Sequence, residues 1–186
     1  MKYAGIINND VVNGQDVCVS YWCQGCRFRC PGCQNPQTWD FNGGIEIDEN
    51  KLINQIIELI SKNGIQRNLS ILGGEPLCDE NIPFTYRLIE EVKKVYPAIR
   101  VFCWTGYEYE DLYCYSDTKD WYTLEQSVNS GKLSYILNNI DILVDGKFDI
   151  ENRDITLPFR GSKNQRVIDM KKTCSSAKIV LYEVEA

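Results

Sequence analysis

Cys23, Cys26, Cys30 and Cys33 fall in one short stretch, Cys-Gln-Gly-Cys-Arg-Phe-Arg-Cys-Pro-Gly-Cys, and the last three read C-x3-C-x2-C. Thiols this close, on a loop carrying Gly25, Pro31 and Gly32, serve metals or redox chemistry rather than packing. Four centres compete for them. A disulfide framework sits badly with an odd total of nine cysteines and an opening too short and polar for a secretory signal. Structural zinc prefers two C-x2-C knuckles far apart, gripping the ion from opposite sides, and the chain has no histidine to help. A ferredoxin-type run matches Cys23, Cys26, Cys30 and Pro31, but its first cysteine would fall at Ser20, and no second run exists. The fourth reading takes only Cys26, Cys30 and Cys33, as ligands of a [4Fe-4S] cluster. Three thiolates leave one iron open to a substrate or cofactor, as in open catalytic metal sites. This reading fits best, with Cys23 a neighbour and not a ligand.

The elements that must position this loop follow the hydrophobic pattern. The chain to Trp22 reads as strands around a turn at Asn13-Gly14, with Val17–Trp22 running strand-like into the cysteines. Asp48 caps a helix reaching about residue 63, where Leu52, Ile53, Ile56, Ile57, Leu59 and Ile60 recur at helical spacing and Gly64 is a stop. A strand over Asn68–Leu72 leads into Gly73-Gly74-Glu75-Pro76. The next helix spans residues 84 to 96, with Phe84, Leu88, Ile89, Val92 and Val95 on one face and Pro97 after it. Strands follow at Ile99–Cys103 and Ile140–Val144, and Ile168 and Lys178–Val184 add closing strands. This β-α-β-α-β order implies a parallel sheet with right-handed crossovers. The expected fold is therefore α/β, a mostly parallel sheet with the cluster loop at its carboxyl edge, where parallel α/β barrels carry their sites. Residues 108 to 138 are rich in tyrosine and read equally well as a covering layer or a docking surface.

With the triad in place, the chain resembles the activating proteins of anaerobic ribonucleoside-triphosphate reductases, within the radical S-adenosylmethionine (SAM) enzymes. C-x3-C-x2-C is the signature of the larger group. Five stretches carry the closer likeness: Gln24-Gly25-Cys26 through Cys33-Gln34-Asn35-Pro36; Gly73-Gly74-Glu75-Pro76-Leu77; Trp104-Thr105-Gly106-Tyr107; Asp141 through Phe148; and Arg160-Gly161-Ser162 with Asn164-Gln165-Arg166. Gln34 departs from the aromatic residue or histidine usual there. Lys147 stands where proline is common. The resemblance implies an incomplete, open (β/α) barrel over residues 1–186, a single domain. It implies a [4Fe-4S] cluster on Cys26, Cys30 and Cys33, with SAM bound by Gly32, Cys33, Gln34, Gly73, Gly74, Glu75, Pro76 and Thr105. Glu75 also reads as structural, bonding nearby backbone amides. Trp104 reads as a core aromatic, Asp145 as a channel residue or a turn cap, and Arg160 as a contact to the SAM carboxylate or to the partner. The implied activity is reductive cleavage of SAM, with a flavodoxin or ferredoxin as electron donor. The 5′-deoxyadenosyl radical so produced takes a hydrogen from a glycine of the reductase and leaves a glycyl radical. The alternatives are activation of another glycyl-radical enzyme, such as pyruvate formate-lyase, and a non-catalytic iron–sulfur electron carrier that would use Cys23 as a fourth ligand.

Composition bounds the rest. At 186 residues, 44% of them apolar, the chain suits one domain with a real core. A net charge of −6 makes a poor nucleic-acid binder. No apolar run approaches the ~20 residues that span a bilayer, and free thiols without a targeting signal suit the cytoplasm. The absence of histidine rules out a Ser/His/Asp or Cys/His catalytic set. A bond cut by electron transfer needs neither.

Overall fold

The computed structural model describes residues 1–117, 124–176 and 178–183, with the side chains of 114–117 and 124–127 left aside. Seven strands, β1 (Lys2–Asp10), β2 (Cys18–Cys23), β3 (Ile45–Glu46), β4 (Asn68–Gly73), β5 (Val101–Trp104), β6 (Ile142–Asp145) and β7 (Arg166–Asp169), form one open sheet in the order β3-β1-β2-β4-β5-β6-β7. The central four, β2, β4, β5 and β6, are parallel. On one side β1 runs antiparallel to β2 and β3 antiparallel to β1; on the other β7 runs antiparallel to β6. The helices are α1 (Glu49–Ile60), α2 (Ile82–Val95), α3 (Tyr109–Asp117), α4 (Leu124–Asn139) and α5 (Met170–Ser176).

Side chains alternate across a strand, and that alternation splits the molecule. Val19, Tyr21, Leu69, Ile71, Val101, Cys103 and Leu143 face the main core, where Leu52 and Ile56 of α1, Leu88 and Ile89 of α2, and Leu133 and Ile136 of α4 meet them. Their alternates, Phe102, Ile142 and Val144, form a separate cluster with Val167, Trp104 and Phe159 on the other face. Among the described residues, helices therefore cover one face only. The other is free to hold a cavity.

The helix boundaries follow local chemistry. The Asp48 carboxylate accepts the Lys51 N–H at 3.0 Å, as the sequence pattern requires. α1 stops at Ile60 rather than near 63, because Asn63 enters the left-handed region at φ +60° and a 3-10 turn over Lys62–Gly64 intervenes. Arg67, only 2% exposed, closes that end. Its Nη1 donates to the carbonyls of Leu59, Lys62 and Ile65, and its Nε to Asn9 Oδ1 at 2.7 Å. Val95 does not join the buried face of α2, as its spacing predicts, and is 51% exposed. It lies in the last turn, past the core. Tyr96 packs there instead, and its hydroxyl donates to the Ile57 carbonyl at 3.2 Å.

Other expectations shift in detail. β1 and β2 are joined by residues 11–17, not by a tight turn at Asn13-Gly14. The buried Asp10 carboxylate organises this loop, accepting the Val12 and Asn13 N–H groups and, at 2.6 Å, the Ser20 hydroxyl. The segment after α5 gives an isolated bridge from Leu181 to Ile168, with Val184 outside the described residues. In the tyrosine-rich stretch, Leu133, Ile136 and Leu137 are buried and Tyr135 meets Tyr86 edge-on at 4.9 Å. The described part of α4 is thus a covering layer on α2. Trp121, Tyr122 and the side chains of Tyr115 and Cys114 lie outside the described residues.

Arg67→Ala removes a buried side chain and the shared donor of three partly exposed carbonyls at the end of α1, and should cost about 2 kcal/mol of unfolding free energy. Anaerobic urea unfolding measures it; a loss under about 1 kcal/mol would refute the capping role.

Candidate active site

Because β2, β4, β5 and β6 are parallel, the loops leaving them emerge at one edge of the sheet. They are the cysteine loop after Cys23, residues 73–77 after β4, 105–108 after β5 and 146–149 after β6. Cys26, Cys30 and Cys33 all line one cavity of about 360 Å³ on the helix-free face, together with Gly73, Gly74 and Thr105. All three thiols are partly exposed. The loop turns through left-handed backbone at Arg29 (φ +48°) and Gly32 (φ +72°). The Cys33 N–H donates to the Cys30 carbonyl at 3.1 Å, the Asn35 N–H to Cys33 Sγ at 3.4 Å, and the Cys26 N–H to the Trp39 carbonyl at 3.1 Å. Phe28 pins the loop, edge-on to Tyr107 at 4.8 Å and beneath the Lys147 ammonium.

Cys23 behaves differently, for a reason set by strand period. It shares the helix-packed face with Val19 and Tyr21, is 1% exposed, and belongs to the main core. Its neighbour Trp22 takes the cavity face. Burial pushes the Cys23 thiol well above its ordinary range. Burial also raises Cys26 and Cys30. Metal binding by Cys26 and Cys30 would therefore release protons. Among the described residues no three acidic or thiol side chains converge as they would on one metal ion. A mononuclear site needs its sulfurs around a single centre at roughly 2.3 Å, whereas a cubane offers each thiolate a separate iron.

The Gly-Gly-Glu-Pro loop locks against the cysteine loop. Gly73 holds φ +107°, which favours glycine, and a side chain on Gly74 would come within 2.3 Å of the Gly25 carbonyl oxygen. The Glu75 N–H donates to that same carbonyl at 2.8 Å. The Glu75 side chain, 2% exposed, turns inward. Oε1 accepts from the Leu77 N–H at 2.9 Å and the Thr105 hydroxyl at 2.8 Å, and Oε2 from the Gly106 N–H at 2.7 Å. Glu75 thus ties the loops after β4 and β5 together, and Thr105 is its partner. Gln34 is exposed at the cavity wall. Gly32 and Pro76 do not line the cavity; the Pro76 carbonyl accepts the Thr85 hydroxyl at 3.0 Å. Asp145 is buried, bound to Arg166 and to the Tyr109 N–H that opens α3, so it anchors a helix start and does not meet the cavity.

Sequence reading passed over several lining residues. Trp22 and Leu72 were open to strand alternation, since each flanks residues of the opposite face. Trp39 and Phe159 lie in irregular segments with no periodic signal. Among the described residues, four buried side-chain polar atoms have no hydrogen-bond partner: Asn8 Oδ1, Trp22 Nε1, Trp39 Nε1 and Arg160 Nε. The last three are donors on residues lining this cavity. Buried donors are rarely left unmatched. Three partly exposed thiols on the wall of one cavity fit an iron–sulfur cluster that gives each thiolate its own iron.

The fold and this site define an α/β iron–sulfur protein: residues 12–168 match the 4Fe-4S single cluster domain family, to which the chain belongs. The chain is 31% identical over 168 residues to the anaerobic ribonucleoside-triphosphate reductase-activating protein of Escherichia coli (strain K12), spanning 90% of this chain and 97% of that protein. The protein of the same description from Pasteurella multocida is 33% identical over 166 residues, covering 89% and 95%. That from Enterobacteria phage T4 is 30% identical over 167 residues, covering 90% and 93%. The chain is a member of the anaerobic ribonucleoside-triphosphate reductase-activating protein family.

Burial pushes the Glu75 carboxyl up to about 7 against the pull of the Gly106 and Leu77 N–H groups and the Thr105 hydroxyl. A carboxyl raised on folding stabilises most below its ordinary value of 4.5, and that contribution is lost as pH climbs through about 7. Unfolding free energy should fall by up to about 3 kcal/mol between pH 4.5 and 8 from this group. Glu75→Gln should remove that slope and lower the whole curve, because the amide nitrogen presents a donor where Gly106 or Thr105 needs an acceptor. An unchanged slope in the variant would show that Glu75 is not the titrating group.

Proposed function

We propose that this chain is a radical SAM activating enzyme that cleaves S-adenosylmethionine reductively at a [4Fe-4S] cluster and leaves a glycyl radical on an anaerobic ribonucleoside-triphosphate reductase. The observation that carries this reading is the set of Cys26, Cys30 and Cys33 on the wall of one cavity, with Cys23 buried on the opposite face of the sheet. Three thiols together and the fourth apart favour a cluster with an open corner over a four-cysteine carrier.

Cys26, Cys30 and Cys33 would hold the cluster. When bound, it supplies the electron that breaks the sulfonium bond to the 5′ carbon of SAM. The backbone at Gly73 and Gly74 lies bare beside the thiols and suits the methionine amino group. Glu75 and Thr105 act behind that backbone, fixing where its polar groups stand. Gln34 would add to the ligand shell from the wall, while Gly32 and Pro76, which do not line the cavity, would act only by shaping their loops. Trp104, whose indole N–H is held by the Phe159 carbonyl at 2.7 Å, forms part of the floor. The open sheet, helix-covered on one face, is consistent with an incomplete (β/α) barrel over residues 1–186, a single domain. Its open side would admit a glycine-bearing segment of the reductase. The partner is the reductase's catalytic subunit, the electron donor a flavodoxin or ferredoxin, and the compartment the cytoplasm. No helix among the described residues is long and apolar enough to cross a membrane.

After anaerobic reconstitution with iron and sulfide, the intact protein should carry about four irons per chain and form 5′-deoxyadenosine from SAM on reduction. Cys30→Ala should lose the intact cluster and this cleavage, while Cys23→Ala should keep both. Cleavage by Cys30→Ala would overturn the mechanism. Cleavage by the intact protein without a glycyl radical signal on the reductase would overturn only the partner.

A further inference from the structure

Cys26 belongs to two hollows. It lines the cavity that also holds Cys30 and Cys33, and a second one of about 320 Å³ bounded by Arg27, Arg29, Trp39, Asp40, Phe41 and Asn42. Arg27, Arg29, Asp40 and Asn42 are exposed, so the second hollow opens outward from the cysteine loop. In the function proposed above, on which this inference rests, S-adenosylmethionine and the glycine-bearing segment share the first cavity. An electron carrier then needs a separate approach to the cluster. The outer hollow reaches one of the three thiols without crossing the first cavity.

Charge says what kind of carrier fits. The chain carries a net −6, yet residues 24–39 hold Arg27 and Arg29 and no carboxylate. Arg27 stacks over the Phe41 ring at 5.2 Å and pairs with Glu80. Exposed Lys147 stands 4.8 Å over the ring of Phe28, the residue between the two arginines. Of the acidic side chains beside this face, Glu80 is engaged by Arg27, and Asp40 accepts the Asn42 N–H at 2.9 Å. Arg29 differs from its neighbours. It is exposed, has no ion-pair partner among the described residues, and sits next to Cys30 with φ +48°, a region a bulky side chain rarely adopts. The loop therefore holds a cation outward at a backbone position that does not favour it.

We infer that Arg27, Arg29 and Lys147 form the docking face for the electron donor, a small one-electron carrier with an acidic surface around its cofactor. One electron passes from the carrier to the cluster: the carrier is oxidised by one electron, the cluster is reduced by one, and no atom moves. Redox encounters of this kind use small interfaces, and charge complementarity sets their on-rate more than their affinity.

Stopped-flow bleaching of the cluster absorbance, with cluster-reconstituted protein and fully reduced flavodoxin, measures the step. The wild-type rate constant should fall about tenfold or more from low salt to about 0.5 M. Arg29→Glu should slow flavodoxin about tenfold at low salt, and leave reduction by photoreduced 5-deazaflavin, a small uncharged reductant, within about twofold. Lys51→Glu makes the same charge change on the exposed side of α1 and should slow flavodoxin less than about twofold. Titration calorimetry with oxidised flavodoxin should rank the three proteins in the same order. Should Arg29→Glu lose iron, Arg29→Asn replaces it, because asparagine tolerates left-handed backbone, and should slow flavodoxin about threefold. Failure of flavodoxin to reduce the wild type, or equal rates in all the proteins, overturns the docking face. So does equal slowing by Lys51→Glu, which marks the overall field, or equal slowing with deazaflavin, which marks a damaged cluster. The proposed function survives each of these results if the deazaflavin-reduced wild type cleaves S-adenosylmethionine; absence of that cleavage overturns the proposed function itself.

Discussion

Four parallel strands that end on one edge, with side chains alternating across them, set the terms for everything else in this molecule. Parallel strands deliver their following loops to the same edge, so segments distant in sequence, near residues 26, 74, 105 and 146, become neighbours. Alternation then decides which side chains from those strands see the cavity. A shift of one residue in β2 would exchange the two faces of the strand, sending Cys23 toward the cavity and Trp22 into the helix layer. The register of β2 against β4, Cys18 to Asn68 through Cys23 to Gly73, is therefore also a statement about which cysteines can reach a metal.

Close backbone approach supplies the second constraint. The Gly25 carbonyl takes the Glu75 N–H, and Gly74 has no room for a side chain against it. Asn81 Nδ2 donates to the carbonyls of Gln24 and Glu75, bracing the same contact from the start of α2. Glu75 extends the brace to the β5 loop. Three loops are fixed mutually by hydrogen bonds, while the cysteine sulfurs remain at the surface of the cavity. A site that must hold a large inorganic group needs that division. The frame must be rigid before the group arrives, because chain held only by the group would have to be ordered at its expense.

Much of this was legible in the sequence, and the misses have physical causes. The capped start of α1, the strand before Gly73 and the βαβ order were readable because period and capping are local. Glu75 as a binder of backbone amides was foreseen, but Thr105 as its partner was not, since the pairing depends on β4 and β5 lying side by side. Val95 satisfied helical spacing and still emerged at the surface; spacing does not say where the core ends. The orphaned donors were the least legible. Nothing local distinguishes Trp22, whose N–H is unmatched, from Trp104, whose N–H finds the Phe159 carbonyl from a segment more than fifty residues away.

The absence of histidine belongs to the same logic. General acid–base catalysis needs a group poised near working pH, and the one buried carboxyl in this cavity wall that titrates near neutrality, Glu75, has both oxygens committed to Leu77, Thr105 and Gly106. Oε1 carries two of those bonds and Oε2 the third, so three of its roughly four lone-pair directions are taken up in tying loops together. What the cavity wall offers a ligand instead is thiols and bare glycine backbone. Those groups bind and orient, and they lend themselves to chemistry in which the electron comes from the bound cofactor and the protein sets only the geometry.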